Sequence, residues 1–262
     1  MSPLSEVFAK AKSENRAVLI GYMPAGFPTR ERSIAIINAM VAGGVDVIEV
    51  GFPYSDPVMD GPVIQRASEL AIENGFTSTD VFEVVAKVTA PTLVMTYWNP
   101  IERMGVQTFI SRFASAGGVG VITPDLTIEE SNEWITATSE KAIDRVYVVA
   151  PSSSDERLSR VVAQCSGFVY AASLMGVTGA RTVLATSAKN LVARIRRHTD
   201  LPVAVGLGVS NAEQARDVAN FADGVIVGSA FISLVQKASN EKEAVEKVRV
   251  LAGELANAVR QR

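Results

Sequence analysis

The sequence has little of what most often carries metal or nucleophile chemistry: its 262 residues include one cysteine, Cys165, and one histidine, His198. One of each cannot assemble the usual zinc sites or a nucleophile–histidine–acid triad. A lone cysteine also excludes an intrachain disulfide and fits a reducing compartment, so the chain reads as cytoplasmic. Its setting, Val161-Val-Ala-Gln-Cys-Ser-Gly167, reads as the buried end of a helix carrying an inert core thiol. His198 closes a predicted helix in Arg194-Ile-Arg-Arg-His-Thr199, where a cation complements the helix dipole.

Other absences narrow the reading further. A net charge of −3 provides no basic field for nucleic acid or an anionic membrane. No apolar run approaches the length of a membrane span. Met1 to Glu14 follows an amphipathic helix pattern without the basic-then-apolar order of a signal peptide. The eight lysines all fall on predicted helices or helix ends. None stands at the C-terminal end of a strand, where a Schiff-base lysine would be needed.

What the chain does have is alternation. Short apolar runs at Ala17–Tyr22, Val45–Val50, Thr92–Tyr97, Val119–Thr123, Arg145–Val149, Phe168–Ala172, Pro202–Gly206 and Gly224–Val227 are separated by helical patterns. Eight buried strands alternating with helices predict a TIM (β/α)8 barrel, in one domain over residues 1–262. The pattern adds an N-terminal capping helix and extra helices after strands two and eight. In such a barrel, chemistry belongs where strands end and βα loops begin.

The strongest chemical signal lies in Val47 to Pro62. The β-branched run carries an acid, Glu49, two residues before it stops at Gly51. An isolated carboxylate is expensive to bury, so it needs a partner, a proton or a task. Pro53, Pro57, Gly61 and Pro62 then forbid regular structure across a long loop that holds Asp56 and Asp60. Asp56 precedes a proline and reads as a turn former. Pro62 suits a first helical position, which makes Gly61 the cap and leaves Asp60 outside the helix. Asp125, after strand four, reads as either a loop acid or a functional one. Tyr97 and Tyr170 stand at strand ends.

Three glycine-bearing stretches share that face: Gly176-Val-Thr-Gly179, Gly206-Leu-Gly208 and Gly228-Ser229. Glycines let backbone N–H groups approach an anion, and a helix beginning at Ser229 adds its positive end. Together they predict a phosphate site after strands seven and eight. Ser210 with Glu213 reads as a plain capping box. Carboxylate acid–base chemistry on a phosphorylated small molecule is what these residues leave open.

Ile48-Glu-Val-Gly-Phe-Pro-Tyr-Ser-Asp-Pro-Val-Met-Asp-Gly-Pro62, with Gly176-Val-Thr-Gly179, Tyr97-x-Asn99 and Gly228-Ser229-Ala230, resembles the α subunit of tryptophan synthase from about Phe8 onward. The resemblance implies a lyase that cleaves indole-3-glycerol phosphate to indole and glyceraldehyde 3-phosphate. It also implies an αββα complex whose β subunit carries pyridoxal phosphate, with no cofactor in this chain. By the same resemblance, Glu49 is the general acid–base and Asp60 holds the indole N–H. Tyr22, Tyr97 and Tyr170 line the substrate, Thr178 contacts the aspartate on closure, and Gly179, Gly208, Gly228 and Ser229 cradle the phosphate.

Some positions depart from the family pattern. Pro24 stands where many members carry threonine, Thr127 replaces a proline, and Leu174-Met175 replaces a more polar pair. Two other readings compete. Another phosphate-binding barrel of the tryptophan or histidine pathways would need catalytic lysines or paired strand-end aspartates. A chain kept only as an allosteric activator of a β subunit would not need Glu49 and Asp60.

Overall fold

The computed structural model describes residues 2–172, 181–206 and 208–261. Eight parallel strands close into a barrel in chain order: β1 Val18–Pro24, β2 Val47–Gly51, β3 Thr92–Met95, β4 Gly120–Thr123, β5 Asp144–Val149, β6 Val169–Ala172, β7 Val203–Gly206 and β8 Gly224–Val227. The last strand pairs with the first, Val18 facing Gly224, so no edge is left open. This is the TIM barrel that the alternation predicts. Parallel strands covered on both sides read as unbroken apolar runs, which is why their positions are legible.

Twelve α-helices among the described residues surround the strands. They are α1 Pro3–Ser13, α2 Arg30–Gly43, α3 Pro62–Glu73, α4 Asp80–Ala86, α5 Trp98–Met104, α6 Val106–Ser115, α7 Asn132–Glu140, α8 Asp155–Val162, α9 Arg181–Ile195, α10 Ala212–Ala219, α11 Ser229–Lys237 and α12 Glu241–Ala258. Two helices follow β2 and two follow β8, as expected. A further one, α5, follows β3, and the sequence pattern does not predict it. There the strand stops at Met95 instead of running on to Tyr97, and Tyr97 becomes the residue before a helix. No helix among the described residues is long and apolar enough to cross a membrane.

The amino end of the barrel is sealed. Helix α1 buries Leu4, Phe8 and Ala11 against the barrel interior, with the rings of Phe8 and Phe168 5.6 Å apart. Side chains standing just before a strand also accept an N–H from its neighbour. Asp46 takes the Leu19 N–H at 2.8 Å, Ser166 that of Arg145 at 2.8 Å, and Asp223 that of Val203 at 3.0 Å. Both acids are also ion-paired, Asp46 to Arg16 at 2.8 Å and Asp223 to Arg196 at 3.0 Å. Those at the carboxyl end are arranged differently.

Candidate active site

Strand β2 is buried along its whole length, and strand alternation turns Val47 and Glu49 to the same inner face. Val47 joins an apolar interior with Ile20, Leu93, Ile122, Val146 and Phe168. Glu49 stands one step nearer the carboxyl end, in register with Tyr22 of β1 and Leu93 of β3. It is 1% exposed, and neither of its carboxyl oxygens has a hydrogen-bond partner among the described residues. Burial, and then the charge of Asp60, push this carboxyl up to about 8.

Asp60 sits at the end of the loop that follows, held from three sides. Its N–H donates to the Pro57 carbonyl at 3.0 Å, and its own carbonyl accepts from the Gln65 side chain at 2.9 Å. Its carboxylate accepts from the Tyr97 hydroxyl at 3.3 Å, and that hydroxyl accepts the Met59 N–H at 2.9 Å. Burial pushes Asp60 up to about 6, against the opposing pull of the Tyr97 bond. Gly61 is the N-cap of α3 and Pro62 its first residue, so Asp60 lies just outside the helix, as the sequence predicts. Asp56 is a surface turn residue. Its carboxylate accepts from Ser55 at 2.5 Å and its carbonyl takes the Val58 N–H at 2.9 Å.

Three tyrosines surround the acids. The Tyr22 hydroxyl lies over Gly51 and its ring lies against Gly228, where a Cβ would come within 3.1 Å of it. The Tyr170 hydroxyl lies over Gly206 at the end of β7, and a Cβ there would sit 2.6 Å from it. Glycine at these points makes room for a phenol from the neighbouring strand. Burial raises the Tyr22 and Tyr170 phenols well above their ordinary range, with the charges of Asp60 and Glu49 adding to it. Tyr97 is raised as well, by burial first and then by Asp60. All three stay neutral donors near neutral pH.

The glycine loops meet the same face. Gly208 has φ +67, a left-handed conformation that favours glycine. Helix α11 starts at Ser229 behind Gly228, and no side chain caps its first turn. An uncapped helix start leaves N–H groups for an anion. Thr178 and Gly179 lie outside the described residues, as do Leu174 and Met175. The capping box expected from Ser210 to Glu213 is displaced by one residue. Asn211 caps α10 by accepting from the Gln214 N–H at 3.0 Å, and the Gln214 side chain accepts from the Ser210 N–H at 2.8 Å.

The structure also gives Asp125 a task that the sequence leaves open. Both its carboxyl oxygens accept the Trp98 N–H, at 2.9 and 3.1 Å, so it caps α5 from the loop after β4. The signal is a helix start whose own preceding residue, Tyr97, has no capping side chain.

The family model described as tryptophan synthase alpha chain matches residues 8–260. The tryptophan synthase alpha chain of Streptomyces avermitilis is 55% identical over 98% of this chain and 94% of its own length. That of Thermobifida fusca is 54% identical over 99% and 98%. A structure of Mycobacterium tuberculosis tryptophan synthase superposes with a TM-score of 0.92 at 46% identity, covering 100% of this chain and 99% of the other. The alpha subunit from Legionella pneumophila superposes at 0.90 with 30% identity, covering 99% and 98%.

Proposed function

The chain belongs to the tryptophan synthase alpha chain family, and we propose that Glu49 and Asp60 carry its part of the chemistry. The family's alpha reaction cleaves indole-3-glycerol phosphate to indole and glyceraldehyde 3-phosphate, and the chain works with a beta subunit. Pyridoxal phosphate belongs to that beta subunit, not to the alpha chain.

One observation supports the assignment above the others: a buried carboxyl and a half-buried one sit together, Glu49 pushed up to about 8 and Asp60 to about 6. Near neutral pH such a pair is mainly one protonated acid and one carboxylate. Glu49, the protonated member, gives its proton to indole C3. The ring nitrogen becomes positive, and the Asp60 carboxylate stabilises that charge while accepting the N–H. Glu49, now a carboxylate in an apolar pocket, takes the proton from the hydroxyl on the adjacent carbon. The carbon–carbon bond breaks, its electron pair returns to the ring, and an aldehyde is left on the phosphate fragment. Glu49 ends as it began.

The remaining roles follow position. Tyr22, Tyr97 and Tyr170 bound the space around the two acids, with Tyr22 beside the ring. Gly208, Gly228 and Ser229 hold the phosphate with the start of α11; by the family resemblance alone, Gly179 joins that cradle and Thr178 meets Asp60 on closure. Residues 1–262 form one barrel domain, and the chain works in the cytoplasm. Cys165 fits a reducing compartment, being a free, buried thiol pushed up to about 11 by burial.

The test is product release from indole-3-glycerol phosphate by the chain assembled with its beta subunit. Glu49→Gln keeps the shape but cannot exchange the proton, and should abolish cleavage while retaining phosphate-ligand affinity. Asp60→Asn should lose most of the rate, and Asp56→Asn little of it. Wild-type cleavage by Glu49→Gln would remove the assignment.

A further inference from the structure

The positions of Asp125, Tyr97 and Asp60 link three successive strand-end loops, those after β4, β3 and β2. From this geometry we propose that Asp125 is a positioning residue for Asp60, acting through the start of α5 and the side chain of Tyr97. The proposal rests on the role given to Asp60 above.

Helix α5 is short and follows β3 by two residues, Thr96 and Tyr97. Tyr97 occupies its N-cap position but supplies no side-chain bond to its first turn. A seven-residue helix left that way has a poorly fixed start. The missing acceptor comes from Asp125, whose two oxygens take the Trp98 N–H and whose charge suits a helix N-terminus. Thr96 adds a second tie to β4 through its N–H, which donates to the Ile122 carbonyl at 3.1 Å. The backbone on both sides of Tyr97 is thus fastened to β4 and its loop.

Between those two ties the Tyr97 side chain reaches the other way, toward the loop after β2. Its ring packs on Tyr54 with centroids 5.4 Å apart. Its hydroxyl accepts from Met59 and donates to Asp60, so one oxygen fixes both the Met59 backbone and the Asp60 carboxylate. Moving the start of α5 moves that oxygen. A displacement of about an ångström at a catalytic group can cost roughly a hundredfold in rate, so the linkage is large enough to matter. Asp125 itself is exposed and bonds to the start of α5, not to Asp60, which separates positioning from direct participation.

The experiment is a double-mutant cycle, with kcat and KM for glyceraldehyde 3-phosphate release measured on the full chain assembled with its beta subunit. Tyr97→Phe removes the hydroxyl, and a bond to a charged group is worth enough to lower kcat about tenfold. Asp125→Ala should lower kcat by a similar factor of about ten, with KM changed less than about threefold, because the substrate's own contacts remain. Asp125→Asn keeps one acceptor for the Trp98 N–H and should recover to within about threefold of wild type. In the Tyr97→Phe background, Asp125→Ala should cost less than about twofold more, because the linkage is already cut.

Losses that multiply, giving about a hundredfold in the double variant, would show that the two residues act independently and would overturn the proposal. If Asp125→Ala does not fold, the smaller loss from Asp125→Asn carries the same comparison and must likewise disappear in the Tyr97→Phe background. Glu49→Gln and Asp60→Asn, measured alongside, separate the two levels of inference. Full activity in either removes the reading of the site. Inactivity in both with an additive cycle removes only the role of Asp125.

Discussion

The hydroxyl of Tyr22 lies so close over Gly51 that a Cβ at that position would sit 2.2 Å from its oxygen. Gly51 is two residues beyond Glu49 on β2, and Tyr22 pairs with Glu49 across the β1–β2 ladder. Gly51→Ala should therefore push the phenol away from its place beside the acids and leave the strands paired. The expected loss in kcat/KM is about tenfold to a hundredfold, the scale of an ångström-sized misplacement. Tyr22→Leu alone should lose activity to a similar degree, and Gly51→Ala added to it should cost little more, because the phenol is already gone. Circular dichroism and the thermal midpoint check that the single variant is folded. Unchanged activity in a folded Gly51→Ala would show that the Tyr22 position is unimportant.

The two carboxyls predict a bell-shaped pH dependence. Activity needs Asp60 ionised and Glu49 protonated, so kcat/KM should rise through about 6 and fall through about 8. The values belong to the pair, because the charge on Asp60 is one of the causes that raise Glu49. Tyr22, Tyr97 and Tyr170 are all raised and do not titrate in this window. In the residual activity of Asp60→Asn the acidic limb should vanish and the basic limb should move to lower pH. A profile of kcat/KM against pH checks both. A basic limb that stays in place would show that the two acids do not sense each other.

Gly228 faces two ways, toward the start of α11 and toward the Tyr22 ring. A side chain there would block backbone approach to an anion and also press on the ring. Gly228→Val should weaken glyceraldehyde 3-phosphate by about tenfold or more, the cost of losing a bond to a charged group. Free indole should weaken by a smaller factor, through Tyr22 alone. Calorimetry on both ligands separates the effects. Loss of indole with unchanged phosphate affinity would move the phosphate elsewhere.

Much of this architecture is legible in the sequence because its signals are local. The eight strands are covered on both faces and so appear as apolar runs, and Gly61-Pro62 announces where α3 begins. What cannot be read depends on residues far apart in the chain. Helix α5 gives no local signal, because its cap, Asp125, comes from the next strand's loop, while Tyr97 continues an apolar run that looks like strand. The hold on Asp60 is hidden for the same reason, since Tyr97 reaches it from 37 residues away. The cap at Asn211 differs by one residue from the expected one, because Ser210 and Asn211 both suit a helix start and only the return bond from Gln214 distinguishes them.

Keeping Glu49 where it is has a stability cost that depends on pH. At the amino end of the same barrel, half-buried Asp46 lies beside Arg16, which compensates its charge. Glu49 has no such partner among the described residues. Folded, it holds its proton up to about 8; unfolded, it would release it near its ordinary value of 4.5. Between those values the folded chain binds the extra proton, so each rise in pH favours unfolding. The stabilisation is complete below 4.5 and is lost as pH rises through about 8. Its steepest slope is about 1.4 kcal/mol per pH unit, or roughly 3 °C in Tm for a chain of this size. Glu49→Gln has no proton to lose and should lack that slope. Calorimetry from about pH 5.5 to 8.5 should show the Tm of Glu49→Gln gaining on wild type as pH rises, while activity stays absent. Parallel lines for the two proteins would mean that Glu49 is not held protonated by the fold, and the acid–base assignment would lose its physical basis.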